Sequence, residues 1–171
     1  MEIKVKATGK EIYRFSLYHF LRSPAMILYL VFLAAFLGLK HWKTEYDPAI
    51  LNLVFLIFIG YAVFHVLSMR NKAERQANDP VNGAEITYKL EYNGIRVRQG
   101  RELTALNWED IREVRKIGEM YVLYLAPRRG LLIPCRLLLR GREERFLGLL
   151  KQHMTDKQLA KLHLKKSGDT K

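Results

Sequence analysis

The sequence has few of the residues that define several specialised protein classes. It contains one cysteine, five prolines and eleven glycines among 171 residues. A single cysteine excludes a scaffold held by intramolecular disulfides, and the low glycine and proline contents exclude a collagen-like or low-complexity chain. Hydrophobic residues make up 49% of the chain and charged residues 27%. The chain is therefore neither disordered nor uniformly apolar.

Acidic residues are scarce relative to basic ones. The 17 aspartates and glutamates face 29 lysines and arginines, which gives a net charge of +12. Such an excess is typical of proteins that contact nucleic acid or an anionic membrane, and it also arises when membrane topology places basic loops inside the cell. The sequence contains no nucleic-acid recognition motif. We therefore do not expect nucleic acid as a partner.

Two segments, 24–39 and 48–69, lack Asp, Glu, Lys and Arg altogether. At about 1.5 Å per helical residue, the second is long enough to cross a hydrocarbon core of about 30 Å. The first is short, but apolar residues upstream extend it, so we predict spans over about 20–39 and 48–69. A cleaved signal peptide is the alternative for the first segment, and its long lead without a small-residue cleavage site disfavours it.

The distribution of basic residues predicts the orientation of these spans. Residues 1–23 carry five Lys/Arg, the short loop 40–47 carries two that Glu45 and Asp47 offset, and three more follow the second span closely. By the positive-inside rule, both termini are expected in the cytoplasm. The predicted protein is a multi-pass inner-membrane protein with too short an outer loop for an external domain.

The rest of the chain has the pattern of a small domain with a sheet. Residues 70–83 are polar and rich in turn formers, which predicts a linker. Apolar and polar residues then alternate on both sides of Asn93-Gly94, which predicts a hairpin. We expect further strands over 102–106, 112–117, 120–126 and 131–135, with a tight turn over 108–111 and then a helix ending near His153. A short basic helix, which Thr155 and Gln158 cap, and a tail are expected over 154–171.

The N-terminal residues predict one more strand. Ile3 and Val5 alternate with lysines, and Thr8 with Glu11 fits a capping box before an amphipathic helix. Because a lone strand is unstable, we expect this one to pair with the C-terminal sheet. The predicted organisation is a strand and interfacial helix over 1–23, a transmembrane hairpin over 24–69, the linker, a cytoplasmic domain over 84–153 and the basic tail.

Several residues carry a family resemblance. These residues lie in four places: before the first span, in the predicted hairpin, around the predicted tight turn and before the last long helix. They are Tyr13, Phe15, Tyr18 and His19, then Tyr92, Asn93, Gly94 and Ile95, then Trp108, Ile111 and Val114, and finally Ile133 and Pro134. With two spans, about six short strands and a C-terminal helix, the chain resembles the YcxB-like family of bacterial membrane proteins. The basic tail after His153 is not part of that pattern.

The resemblance implies a fold class but no activity for any residue. The fold class is a membrane α-helical hairpin plus an α+β cytoplasmic domain. That domain is similar to pleckstrin-homology domains, with an antiparallel bent sheet or small barrel capped by a C-terminal helix.

Residues with catalytic chemistry are dispersed. The five histidines show no metal-ligand spacing, Cys135 has no evident histidine partner, and no glycine-rich phosphate loop follows a strand. We therefore expect no catalytic, metal or cofactor site. His65 and Asn52 are the polar candidates within the second span, and we interpret them as forming hydrogen bonds to another helix or to headgroups rather than transferring protons.

Basic residues give the remaining functional signal. From residue 70 onwards there are 22 Lys/Arg and 13 Asp/Glu. The hypothesis is a membrane protein whose cytoplasmic domain is a binding or regulatory module that contacts anionic lipid or a partner protein. The alternative is a small oligomeric transport, channel or immunity-type component that acts through its spans; topology and solubility alone are the other explanation of the charges. The anionic-surface candidates are Arg96, Arg98, Arg128, Arg129 and Arg142.

Overall fold

A computed structural model describes residues 1–41, 48–80, 83–139 and 141–162. Residues 42–47 of the predicted outer loop 40–47, and residues 163–171 of the predicted basic helix and tail 154–171, lie outside the described residues. The described part consists of helices and short strands in this order: β1 Glu2–Val5, α1 Gly9–Leu21, α2 Pro24–His41, α3 Pro48–Asn78, β2 Ile86–Glu91, β3 Gly94–Gln99, β4 Glu102–Leu106, β5 Glu113–Ile117, β6 Met120–Ala126, β7 Arg129–Pro134, α4 Arg142–His153 and α5 Asp156–Leu159.

The strands form two antiparallel sheets, ordered β1-β2-β3-β4 and β5-β6-β7. The predicted pairing of the N-terminal strand is confirmed, since Ile3 lies opposite Tyr88 in the register of β1 and β2. Ile3 and Val5 are each only 2% exposed, so β1 contributes directly to the core. The three long helices are thus inserted between two neighbouring strands of one sheet.

The predicted β2–β3 hairpin forms, but its turn lies one residue earlier than expected. Glu91 pairs with Gly94, so Tyr92 and Asn93 form the loop and neither has a positive φ. Gly94 itself has φ +153, and a Cβ on it would lie 2.1 Å from the carbonyl oxygen of Leu106. Glycine is therefore required both for this φ, which residues with side chains rarely adopt, and for the close approach of β3 to the end of β4.

The core lies between the two sheets and α4. Phe146 and Leu150 of α4 are completely buried, and the Phe146 ring packs on Tyr121 of β6 at 5.4 Å between centroids. Thr155 and Gln158 form the predicted capping box. The Gln158 amide also donates to the carbonyl oxygens of Trp108 and Ile111, which attaches the start of the basic segment to the domain.

The tight turn predicted over 108–111 and the strand predicted over 112–117 agree closely with the structure. Trp108–Asp110 is one 3₁₀ turn, and β5 begins at Glu113. The Trp108 indole stacks on His153 and donates a hydrogen bond of 3.1 Å to the Tyr92 carbonyl oxygen. This contact holds the β2–β3 turn against the end of α4.

Helix α3 does not end where the apolar sequence ends. The sequence predicts a linker over 70–83, whereas α3 continues to Asn78. Residues after Arg70 are mostly strong helix formers without glycine or proline, and Arg70 pairs with Glu74 one turn later at 3.1 Å. Ala73 is 2% exposed because this part of α3 is packed. Polarity here indicates a solvated helix rather than a flexible connection.

Helix α1 packs against this polar part of α3. The predicted capping box forms at its start, where the Thr8 amide donates to the Glu11 carboxylate at 2.8 Å. A Cβ on Gly9 would lie 3.1 Å from the Glu74 Cα, and the Phe20 ring stacks on His65 at 4.8 Å. The two helices therefore lie side by side from Gly9 and Glu74 at one end to Phe20 and His65 at the other.

The chain bends by 59° between α1 and α2. Ser23 forms the joint: its hydroxyl donates to the Phe20 carbonyl oxygen at 2.7 Å and accepts from the Met26 amide at 3.3 Å. Pro24 follows as the first residue of α2, a position that suits its missing amide hydrogen. The segment predicted as the first span, about 20–39, is therefore not one continuous helix, because Phe20 and Leu21 belong to α1 and α2 begins at Pro24.

Apolar side chains on α2 and on the first two thirds of α3 point outward. Leu28 is 72% exposed, Leu56 69% and Phe64 70%. One helix, over Asn52–Asn78, is long and apolar enough to cross a membrane, and a second candidate exists if the bent pair of α1 and α2 is counted as one span.

Candidate functional site

A basic cavity of about 440 Å³ lies between the end of α1 and the sheet of β5, β6 and β7. Four arginines line it: Arg22 from the end of α1, Arg112 and Arg115 from the start of the second sheet, and Arg128 from the β6–β7 turn. We call it the arginine pocket. Its volume is within the range of small-ligand sites.

Local backbone structure determines the position of the arginines that line the pocket. Arg22 is the C-cap of α1, one turn after Tyr18. The Arg112 amide donates to the Tyr124 carbonyl oxygen at 2.8 Å, which fixes the entry to β5. Arg128 has φ +65, the only positive φ of a non-glycine residue in the described part of the chain.

Two tyrosines and a histidine form the inner wall of the pocket. Tyr18 and His19 come from the last turns of α1, and Tyr124 comes from β6. The His19 Nε2 lies 2.9 Å from the Tyr124 hydroxyl, and the Arg115 guanidinium donates to the Tyr18 hydroxyl at 3.0 Å. The Arg22 guanidinium lies 4.1 Å from the centre of the Tyr18 ring. Helix α1 and the second sheet are thus joined by polar contacts at this point.

The one carboxylate in the pocket is already neutralised. Glu113 pairs with Arg115 at 2.7 Å and with Lys161 at 2.6 Å. Burial tends to raise the pKa of Glu113, but the hydrogen bonds from Lys161 and Arg115 outweigh that effect and hold the pKa below its usual value. Glu113 is therefore ionised at neutral pH, and its charge is matched by two cations.

Burial and the positive charges of the pocket shift the pKa values of its titratable groups. Burial lowers the pKa of His19, and the positive charges of Arg128, Arg115 and Arg22 lower it further. Burial also raises the pKa of Tyr124 to about 12, so its hydroxyl keeps its proton at neutral pH. Within the described ranges, Arg22, Arg112 and Arg128 take part in no ion pair.

The five arginines predicted from the sequence do not converge on one site. Arg128 lies in the pocket, whereas Arg96 pairs with Glu91 at 3.0 Å. Arg98 and Arg129 lie exposed on β3 and β7, and Arg142 lines a separate cavity beside Met1. Sequence reasoning did not select Arg22, Arg112 and Arg115 as members of this site. The sequence signal that could have indicated them is the polar group Tyr18, His19 and Arg22 at the end of an otherwise apolar helical face.

The two polar candidates of the second span are far apart. Asn52 and His65 are separated by 13 positions on α3, about 20 Å at the helical rise. The His65 ring contacts Phe20 of α1 by stacking, and its Nδ1 is buried without a hydrogen-bond partner in the described part of the structure. The interhelical contact of His65 with Phe20 is therefore a ring contact, and the expected hydrogen bond to another helix or to headgroups stays a prediction. The two residues do not form a common site.

The potential metal ligands and the cysteine of the described structure give no support for a metal site or a reactive thiol. In the ranges that the structure describes, no group of three or more His, Cys, Asp or Glu is arranged to hold a metal ion. Burial raises the pKa of the Cys135 thiol, which disfavours the reactive thiolate at neutral pH.

The fold and this site define an α+β protein with two antiparallel sheets, one or two helices apolar enough to cross a membrane, and a basic pocket at the end of α1. Residues 92–150 match the family model described as YcxB-like protein, which confirms the YcxB-like resemblance over that region. The matched region extends from the β2–β3 turn into α4 and includes Arg112, Arg115, Tyr124 and Arg128. No curated protein and no solved structure matches the chain.

Proposed function

We propose that the protein is a two-span inner-membrane protein whose cytoplasmic, pleckstrin-homology-like domain binds the anionic surface of the inner leaflet. The observation that carries this proposal is the position of the arginine pocket at the base of α2, where the chain changes from polar to apolar. The spans then act as an anchor, and the domain acts as the binding module.

The exposed apolar surface supports the two spans. Helices α2 and α3 are paired through aromatic rings, with Tyr29 on Phe58 at 4.1 Å and Phe36 on Phe55 at 6.0 Å between centroids. Their outer faces expose leucine, isoleucine and phenylalanine along the whole paired length. Soluble monomers rarely expose apolar patches larger than a few hundred Å². A hydrocarbon environment makes this surface favourable.

The strand count and order support a pleckstrin-homology-like domain. Four antiparallel strands are followed by three more and then by α4, whose Phe146 is completely buried against the sheets. This agrees with a bent sheet capped by a C-terminal helix. The helical hairpin would then be an insertion between the first two strands of the domain.

The neighbouring helices support a position of the pocket at headgroup level. Phe20 of α1 contacts His65 of α3, five residues before Arg70 begins the polar part of that helix. Arg22 follows Phe20 by two residues and directly precedes the Ser23-Pro24 start of α2. A cationic side chain near an anionic leaflet contributes about 1 kcal/mol to binding. The three arginines without ion pairs in the described structure are therefore well placed for such an interaction.

The proposal is tested on the full chain in nanodiscs. Hydrogen exchange is measured with phosphatidylcholine alone and with phosphatidylglycerol added, and we expect slower exchange of the β6–β7 turn in the anionic bilayer. The β3–β4 turn at Gly100, outside the pocket, serves as the internal comparison. Equal exchange of the β6–β7 turn in both bilayers would overturn the headgroup contact.

Topology is tested separately in cells. Tags at both termini should be digested by protease only after the inner membrane is permeabilised. Digestion of either tag in intact spheroplasts would overturn the proposed orientation, independently of the lipid result.

A further inference from the structure

We infer that the arginine pocket is a binding site for one phosphate group, carried by the headgroup of an anionic inner-leaflet lipid or supplied as free phosphate. The inference deepens the proposed function and rests on it, because the lipid source requires the pocket to face the inner leaflet. It differs from general attraction to a negative surface in predicting one ligand at one place.

The first argument is the number of hydrogen-bond donors that remain available. Arg22, Arg112 and Arg128 have no ion pair in the described ranges and border one cavity. The Tyr18 hydroxyl accepts its bond from Arg115, so its own proton is free for a ligand oxygen. A phosphate group has several acceptor oxygens and forms strong charge-assisted bonds with such donors.

The second argument is the residue type. Every cation with a fixed charge that lines the pocket is arginine, although the chain also contains many lysines. The planar guanidinium presents paired donors that match phosphate oxygens, while lysine offers a single charged centre. The arrangement favours a phosphate over a diffuse anionic surface.

A contrast within the same domain shows that this charge is not simply structural. A second cavity of about 490 Å³ on another side of α1 is also lined by arginines. There Arg14 pairs with Glu119 and Arg136 with Glu11, each at 2.9 Å. In the arginine pocket, the single carboxylate among the described lining residues is already shared by Arg115 and Lys161, so three positive charges have no counter-charge in that part of the structure.

The backbone at Arg128 adds an independent observation. Its φ of +65 is a left-handed conformation that carries an energetic cost for a residue with a side chain. Glycine would fit this turn without that cost, yet an arginine occupies it and lines the pocket. Binding of the phosphate group by this guanidinium would account for an arginine at a strained turn.

The experiment counts ligands on the full chain by native mass spectrometry in detergent micelles. The probes are short-chain phosphatidic acid, phosphatidylglycerol and phosphatidylcholine at equal concentration, and inorganic phosphate in a separate titration. The variant Arg112→Gln/Arg128→Gln removes two pocket charges. The matched control Arg98→Gln/Arg142→Gln removes two exposed charges outside the pocket.

We expect one tightly bound anionic ligand, with affinity reduced roughly tenfold or more in the pocket variant and less than about twofold in the control. Saturation by an anionic lipid but not by inorganic phosphate identifies the headgroup as the source, and saturation by inorganic phosphate identifies free phosphate. Equal losses in the two variants, or many equivalent lipids, would overturn the single site and leave the proposed surface contact standing.

A second variant protects the test against misfolding. Arg128→Gly removes the guanidinium but relieves the left-handed strain, so the thermal stability of the full chain should not fall while ligand affinity does. Unchanged affinity in this well-folded variant would overturn the assignment of Arg128.

Discussion

The helical hairpin and the sheet domain use the same apolar residues in opposite ways. In the sheet domain, Phe146 and Leu150 are completely buried, whereas in α3 Phe64 and Leu56 are about 70% exposed. A side chain gains its hydrophobic free energy only when it leaves water. In the proposed account, the chain is adapted to two solvents, water and lipid, and the boundary between them lies at the joint between α1 and α2.

The largest difference between the regions is expected for removal of a phenyl ring. Phe146→Ala creates a cavity between α4 and the sheets and should lower the free energy of unfolding by about 3–5 kcal/mol. Phe64→Ala, the matched change on α3, leaves no internal cavity and should hardly affect the domain. Pulse proteolysis of the full chain in nanodiscs measures both, and equal losses would contradict the distinction between the two regions.

Replacing an exposed leucine by arginine should also distinguish the two regions. Leu56 of α3 and Leu103 of β4 are 69% and 63% exposed. Leu56→Arg should oppose membrane insertion by about 3 kcal/mol, and Leu103→Arg should change stability by less than about 0.5 kcal/mol. The fraction of protein that resists carbonate extraction reports insertion. Full retention of Leu56→Arg would argue that α3 does not lie in lipid.

Glycine substitutions give a smaller but clean contrast. Gly94→Ala would place a Cβ 2.1 Å from the Leu106 carbonyl oxygen, so we expect a loss of about 1–3 kcal/mol in domain stability. A Cβ on Gly60 in α3 would meet no atom within 4 Å, and Gly60→Ala should be neutral or stabilising by up to about 1 kcal/mol. Thermal unfolding of the two variants distinguishes them. A tolerated Gly94→Ala would contradict the close β3–β4 approach.

The smallest effect concerns the contact that joins α1 to the domain. Burial tends to raise the pKa of Glu11, but hydrogen bonds from Arg136 and Thr8 outweigh it and hold the pKa below the usual value of 4.5. A lowered folded-state pKa contributes stability that is present above pH 4.5 and is lost as the pH falls through the folded-state pKa.

Acidification below pH 4.5 should therefore weaken the attachment of α1, by less than about 1 kcal/mol for this partly exposed pair. Glu11→Gln should reduce that part of the pH dependence, whereas Glu109→Gln, in an exposed residue outside this contact, should leave it unchanged. Hydrogen exchange of α1, followed from pH 6 to about pH 3 so that the folded-state pKa is crossed, measures the effect. Identical pH profiles for the native chain and Glu11→Gln would contradict it.

Local patterns were sufficient to predict much of the fold. Alternation predicted the strands, and the instability of a lone strand correctly predicted that Ile3 and Val5 join the sheet. The end of α3 was missed because polar residues can form a packed helix as readily as a linker. The turn at Gly94 was misplaced because the contact that requires glycine is with Leu106, which lies in the next strand.

The sequence contained a partial signal for the arginine pocket, the polar group at the end of α1, but not the convergence of its arginines. Its members come from three separate segments, around Arg22, Arg112 and Arg128, which only the tertiary fold brings together. The sequence also cannot show which arginines are paired, and pairing separates Arg96 from Arg128. The count of basic residues predicted a positively charged surface, whereas the three-dimensional structure located the arginine pocket on it.

The most direct test of the two-solvent account is the environment of the two matched leucines. Spin labels are placed at Leu56→Cys and Leu103→Cys in a Cys135→Ser background, and their accessibility is measured by electron paramagnetic resonance in liposomes. The account predicts that the label on α3 is accessible to dissolved oxygen and shielded from a polar nickel chelate, with the reverse for the label on β4. Equal access of the nickel chelate to both labels would contradict it.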